Sequence, residues 1–265
     1  MELAFSAQKK NRESLLPLFC GQAFAQLSDR MLTLGLIWSL TSSFGVQWTA
    51  WYIAAASLPH LLLGSLSWQT IERFGALRIV ISSDLARGFF FALIACLVPV
   101  NLFQHLGIFF FISVCTNLGA SFFNPAMMTF PSLIADEKER LKTNAVLRAI
   151  ANLAIVLGPV LGALLFELTG LQGLLWLASG SYLLSGFCSF VAQKKWHSTH
   201  VEVIDQPVTE PNSFRDLDSL ILVMLTFFFV MNLLLGPLQL LMPYYASSLF
   251  GGVIYLLAMM EGFMG

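Results

Sequence analysis

The chain has 265 residues, of which 57% are hydrophobic and only 11% charged, with 24 phenylalanines and a formal net charge of −1. With a mean hydropathy of +0.76, this apolar share exceeds that of an ordinary soluble domain, and lipid is the place where the excess can be buried. The near-neutral charge excludes the basic field on which nucleic-acid binding depends, so no nucleic-acid partner is expected.

A bilayer core about 30 Å thick needs about 20 predominantly apolar helical residues. Segments of that kind are predicted over 15–40, 46–67, 78–99, 104–128, 145–167, 173–192 and 217–241, with an eighth opening near 251. The first begins like a secretory leader, with Lys9, Lys10 and Arg12 ahead of an apolar run and Ala23-Phe24-Ala25 resembling a cleavage site. The run nevertheless continues past Asp29 and Arg30 into MLTLGLIWSL, which makes it a full span. Cys20, Cys96, Cys115 and Cys188 lie singly in apolar runs, without the spacing of a zinc site or a disulfide framework, and read as small core residues.

The basic residues set an orientation. Lys9, Lys10 and Arg12 precede the first span; Arg73, Arg78 and Arg87 lie in or beside the second loop; Lys138, Arg140, Lys142 and Arg148 lie at the fourth, and Lys194, Lys195 and Arg215 at the sixth. Arg30 sits within the first span, and the odd-numbered loops have no Lys or Arg. Because cytoplasmic loops carry the Lys/Arg excess, a multi-pass protein with a cytoplasmic amino terminus is expected. The sixth loop, 193–216, is polar and contains Pro207 and Pro211, as a linker would. It divides residues 1–192, a six-span half, from 217–265, the first one to two helices of an incomplete second half. Gly252 to Gly265 would cover only about 21 Å as helix, so a truncated chain is expected, or one whose missing half is supplied by another polypeptide.

Polar groups inside spans are costly and face a bundle interior or an aqueous cavity. Gln22, Gln26, Asp29 and Thr33 follow i, i+4, i+7, i+11 and form one narrow stripe that should face inward. Ser113, Asn117, Ser121 and Asn124 repeat the pattern in span four, as do Asn144, Arg148 and Asn152 in span five, whereas His60 and Asn232 stand isolated. Two readings of the Asn and Ser residues stay open: a substrate path, or hydrogen bonds that merely join helices. Asp29 is different, because a mid-span carboxylate costs a few kcal/mol unless paired or protonated, and it is the candidate to touch substrate or carry a proton. His197 and His200 form an H-x-x-H without a third ligand, so no metal site is expected. Neither a nucleophile elbow, nor a P-loop, nor a dinucleotide fingerprint occurs, so no enzymatic activity, cofactor or ATP-driven transport by this chain is expected.

The second loop, ERFGALRIVISSDLARG, resembles the pattern of the major facilitator superfamily there: Gly, three residues, Asp-Arg, one residue, Gly-Arg-Arg, followed in exporter branches by an Asp and an Arg. Glu72 takes the Asp place, Arg73 and Gly75 match, and Asp84 and Arg87 match the later pair. Arg78 lies just past the double Arg, whose places hold Ala76 and Leu77, and Trp68 replaces the leading Gly. LGPVLGALL, with Gly158, Pro159 and Gly162, is similar to the antiporter signature; Pro159 is expected to kink that helix and the glycines to admit a close neighbour. NLGASFFNPAMMTFPSLIADEKERLKTNAVLRAIANL and NLLLGPLQLLMPYYASSLFGG look similar to macrolide and siderophore exporters. Where that family often has an Arg in span four, this chain has Asn117. The resemblance implies an all-α integral membrane transporter of the bacterial inner membrane that exports a small amphipathic, drug- or siderophore-like molecule by proton antiport. On this reading Asp29, Gln22, Gln26, Asn117 and Asn124 touch substrate or proton. Glu72, Arg73, Gly75, Arg78, Asp84 and Arg87 form a cytoplasmic gate held by ion pairs, and Gly158, Pro159 and Gly162 form the antiporter motif. The competing reading is a truncated, non-transporting membrane protein or a scaffold that needs a partner chain.

Overall fold

The computed structural model describes residues 2–97, 105–134, 136–197, 219–248 and 253–264. All regular structure among them is helical: α1 Glu2–Phe44, α2 Val46–Phe74, α3 Ala76–Leu97, α4 Leu106–Thr129 with a 3-10 turn Phe130–Leu133, α5 Glu137–His197, α6 Ser219–Ser248 and α7 Ile254–Met264. Among the described residues, three stretches are long and apolar enough to cross a membrane: Ala76–Leu97, Leu106–Leu133 and Glu137–Lys195. The protein is an all-α membrane protein, as its composition implies. His200 and residues 198–216 of the expected linker lie outside the described residues; residues 193–197 continue α5.

Spans five and six are the two helical arms of α5, which join directly at Gly170, where the chain reverses at a single residue instead of a loop. Gly170 has φ 67° and ψ −170°, the one non-helical position in α5. Gly45 (φ 89°, ψ 166°) and Gly75 (φ 87°, ψ 143°) make the α1–α2 and α2–α3 turns in the same way. Gly170 lies in a backbone region that only glycine occupies without strain. The reversal at Gly170 gives α5 two arms. The first, 137–169, runs beside α1 in the same direction, with Gly158 against Arg30 and Gly162 against Met31. The second, 171–197, runs antiparallel to α1, with Gly35 beside Leu174, Ser28 bonded to Ser181, and Gly21 against Ser185.

Helix α1 therefore lies in the cleft of the α5 hairpin, the most extensive packing in the molecule. The core between them and α3 and α4 is built on Leu36, Phe91, Phe109, Leu175 and Tyr182. In lipid the tails are as apolar as leucine, so helices associate through close backbone approach and interhelical hydrogen bonds. Gly162 is such an approach: a Cβ there would lie 2.9 Å from the Met31 Cα. Pro159 lies inside the first arm with helical backbone dihedrals, and the chain reverses eleven residues later at Gly170.

Three glycine-to-alanine substitutions should separate these roles in thermal unfolding of the purified chain in detergent. Gly162→Ala forces two backbones apart and should cost about 1–3 kcal/mol. Gly170→Ala meets open space but strained backbone, and should also cost about 1–3 kcal/mol. Gly180→Ala, helical and with nothing within 4 Å, should instead stabilise by about 0.5–1 kcal/mol. A common sign for all three would contradict this assignment.

Candidate functional site: a buried polar network joining three helices

Helix α3 carries a charged pair two to three turns from its start. Arg87 Nη2 donates to Asp84 Oδ1 at 2.7 Å; the Asp84 side chain is 0% exposed and that of Arg87 7%. Burying two ions costs several kcal/mol each unless excellent geometry and further hydrogen bonds compensate. Both are supplied. The second carboxylate oxygen, Oδ2, accepts from Ser185 Oγ at 2.7 Å and Gln22 Nε2 at 3.2 Å. Gln22 also reaches Ser185 Oγ at 3.1 Å, so α1, α3 and the second arm of α5 converge on one carboxylate.

The guanidinium is fixed on every side. Its Nη1 donates to Tyr182 Oη at 3.2 Å and its Nε to the Ser83 carbonyl at 3.4 Å. The group stacks between the rings of Phe123 and Tyr182, 4.5 and 4.3 Å from their centroids. Cation–π contacts strengthen when desolvated, and Arg uses its planar face for this where Lys would not. Gly119 of α4 makes room, since a Cβ there would press into the Arg87 stem at 2.8 Å.

Tyr182 carries the network onward. Its hydroxyl accepts from Arg87 and donates to Asp29 Oδ1 at 2.6 Å, while its ring stacks on Phe91 with a centroid separation of 5.7 Å. The half-buried mid-helix carboxylate of α1 is thus wired through one phenol to the fully buried pair of α3.

The residues marked from sequence fall into three groups. Gln22, Asp29, Asp84 and Arg87 come together in this network, merging the expected substrate stripe with the expected gate pair. Gln22 is fully buried and Gln26, Asp29 and Thr33 partly so, as an inward stripe requires. Glu72, Arg73 and Arg78 are exposed around the Gly75 turn, and among the described residues no ion pair links Glu72 to Asp84 or Arg87. The pair therefore forms within α3 rather than across the turn. Asn117 is half-buried and Asn124 exposed on α4, with Asn117 bonded to His60, so His60 is not isolated. Gly158, Pro159 and Gly162 are buried on α1. Asn144, Arg148 and Asn152 lie on an exposed face of α5, and the side chain of Asn232 lies outside the described residues.

Tyr182 and Ser185 were missed from the sequence. The signal was there: Ser181, Ser185 and Ser189 recur every four residues beside Tyr182 in SGSYLLSGFCSF, and all four are buried. Beyond the network, a cavity of about 400 Å³ opens at the opposite end of α1, lined by Trp38, Phe109 and Phe166 and by Ser39, Ser42, Thr169 and Gln172. Among the described residues no group of three His, Cys, Asp or Glu is placed to hold a metal ion.

Comparison with curated proteins and with solved structures gave no match. The family model of the Major Facilitator Superfamily matches residues 18–265, which takes in the whole buried network. The chain belongs to the Major Facilitator Superfamily, a family of secondary transporters that move small molecules across membranes.

Proposed function

We propose that the protein exports a small amphipathic molecule, drug- or siderophore-like, from the bacterial cytoplasm in exchange for protons, with Asp29 as the group that takes the proton. The observation that carries the reading is the 2.6 Å hydrogen bond from Tyr182 to Asp29, continued through Arg87 to Asp84. A lone carboxylate at membrane depth is expensive, and such groups mark ion or substrate pathways. This one is half-buried and bonded to the phenol that also holds the buried pair.

In this scheme ionised Asp29 holds the Tyr182 hydroxyl, which in turn holds one edge of Arg87. Protonation removes the negative charge, weakens that grip, and leaves Arg87 to Asp84 and the two rings. The six-span block then rocks as a unit against the second half of the fold. Two packings of one interface, selected by one proton, are what alternating access needs. The six-span block 1–192 supplies this half of the cycle, and 217–265, beyond the linker 193–216, opens the second. The exposed Arg73 and Arg78 at the Gly75 turn support a cytoplasmic location for that end. The aromatic and hydroxyl lining of the cavity suits a ligand with apolar bulk and few polar groups.

Asp29→Asn should abolish proton-driven export by cells expressing the complete reading frame while leaving membrane insertion intact; unchanged drug or siderophore accumulation would contradict the role of Asp29. Tyr182→Phe preserves the ring on Phe91 and removes only the hydroxyl. It should slow proton-driven export at least about tenfold while changing stability by only about 1–2 kcal/mol. Wild-type export by that variant would break the proposed connection between Asp29 and the α3 pair.

A further inference from the structure

The seam between α3 and the second arm of α5 has a side that the buried network does not use. The two helices run antiparallel: Gln172 Nε2 donates to the Ala95 carbonyl at 3.0 Å, Ser179 Oγ donates to the Gly88 carbonyl at 2.9 Å, and Gly186 lies against Leu85. Ala192 then shares a buried cluster with Leu77 and Val80, so the seam continues to the end of the bundle that holds the Gly75 turn. From the Leu85–Gly186 contact, Arg78 is seven residues along α3 and Lys194 eight residues along α5 toward that end. At 1.5 Å per residue these are about 10.5 and about 12 Å, which puts the two cations at one level.

They also share one face. The side of the seam toward α1 is closed by the bonds of Gln22, Asp84 and Ser185. On the side away from α1, Arg78, Ser82 and Phe89 of α3 and Phe187, Phe190 and Lys194 of α5 are exposed at helical spacing. The Lys194 ammonium turns back along its helix and rests 4.7 Å from the centroid of the Phe190 ring. Each cation lies within a turn of the end of a stretch apolar enough to cross a membrane, Ala76–Leu97 for Arg78 and Glu137–Lys195 for Lys194. No acid on either helix answers them: Asp84 is the one acid of α3 and is fully buried in its own pair, and residues 171–197 contain none. Among the described residues neither Arg78 nor Lys194 makes an ion pair.

We infer that this face of the α3–α5 seam binds an anionic phospholipid, its phosphate held by Arg78 and Lys194 and its acyl chains laid along Phe89 and Phe187. The Arg78 fork matches phosphate oxygens two at a time and Lys194 adds a point charge. Basic sites between spanning helices hold anionic headgroups in this way. A soluble anion would match the two charges but leave the three phenylalanines uncovered, whereas a lipid satisfies both. The bound lipid clamps from outside the two helices that carry Asp84, Ser185 and Tyr182. The inference needs a membrane, but neither a direction of transport nor a proton.

The test is titration of the whole chain in detergent with phosphatidylglycerol, with phosphatidylcholine as the zwitterionic probe and glycerol phosphate as the soluble headgroup. Bound lipid is counted by native mass spectrometry, and stability is read by thermal unfolding. Phosphatidylglycerol should bind at least about tenfold more tightly than phosphatidylcholine and raise the unfolding temperature, and glycerol phosphate should do neither. Arg78→Gln and Lys194→Gln should each weaken phosphatidylglycerol binding about fivefold. Arg148→Gln removes the same charge from the exposed face of the first arm, across α1, and should leave binding unchanged. Lys194→Arg keeps the charge and should retain the lipid, which separates a lost contact from a lost fold. Equal binding of the two lipids, or equal weakening by Arg148→Gln, would reduce the attraction to diffuse charge and overturn the inference. Glycerol phosphate binding as tightly as phosphatidylglycerol would also overturn it, since the site would then be one for a soluble anion.

Discussion

The centre of this molecule is arranged around two charges that share one helix and are buried within the protein. Asp84 and Arg87 are three residues apart on α3 and meet at 2.7 Å, but a bare pair in the membrane interior would cost more than its attraction returns. The remaining lone pairs and N–H groups must be satisfied by protein, by Gln22 from α1 and by Ser185 and Tyr182 from the second arm of α5, while the Phe123 ring of α4 covers the guanidinium face. Satisfying one ion pair therefore fixes the mutual positions of four helical segments. The close approaches at Gly21, Gly88 and Gly119 follow from the same demand, since the helices can share these atoms only if their backbones come near.

Against this rigid centre, Asp29 and His60 stand out as ionisable groups at membrane depth that keep contact with their surroundings. Asp29 reaches the centre through one phenol, and His60 reaches α4 on the face opposite Arg87, because residues 117 and 121 point away from 119 and 123 at helical spacing. Helix α4 thus has one face seating the fixed pair and another seating the imidazole.

Much of this was legible in the sequence. The apolar lengths locate the helices, and the 3.6-residue spacing of Gln22, Gln26, Asp29 and Thr33 predicts an inward stripe. Asp84 and Arg87 stand out because charge is so scarce in spans. Spacing within one helix cannot say which helix lies opposite, so the union of Gln22 with Asp84, 62 residues away, needed the fold. Tyr182 hid among apolar neighbours because its ring belongs to the core and only its hydroxyl to the network. His60 looked isolated for the same reason: its partners are on α4. Glu72 was grouped with the pair by proximity in the chain, but the Gly75 turn leaves it exposed while α3 carries Asp84 two turns into the interior. The reversal between spans five and six takes the single residue Gly170 and leaves no polar loop to read.

The central claim is that Asp84 and Arg87 act as one unit on which helix packing depends, and a double-substitution cycle on unfolding free energy in detergent tests it most directly. Asp84→Asn and Arg87→Gln should each destabilise by about 3–5 kcal/mol, because each leaves the other charge buried alone. The doubly substituted chain should lose less than the sum, with a coupling of at least about 1 kcal/mol. Additive losses would show that the two charges do not sense each other, and the account of the buried network would fail.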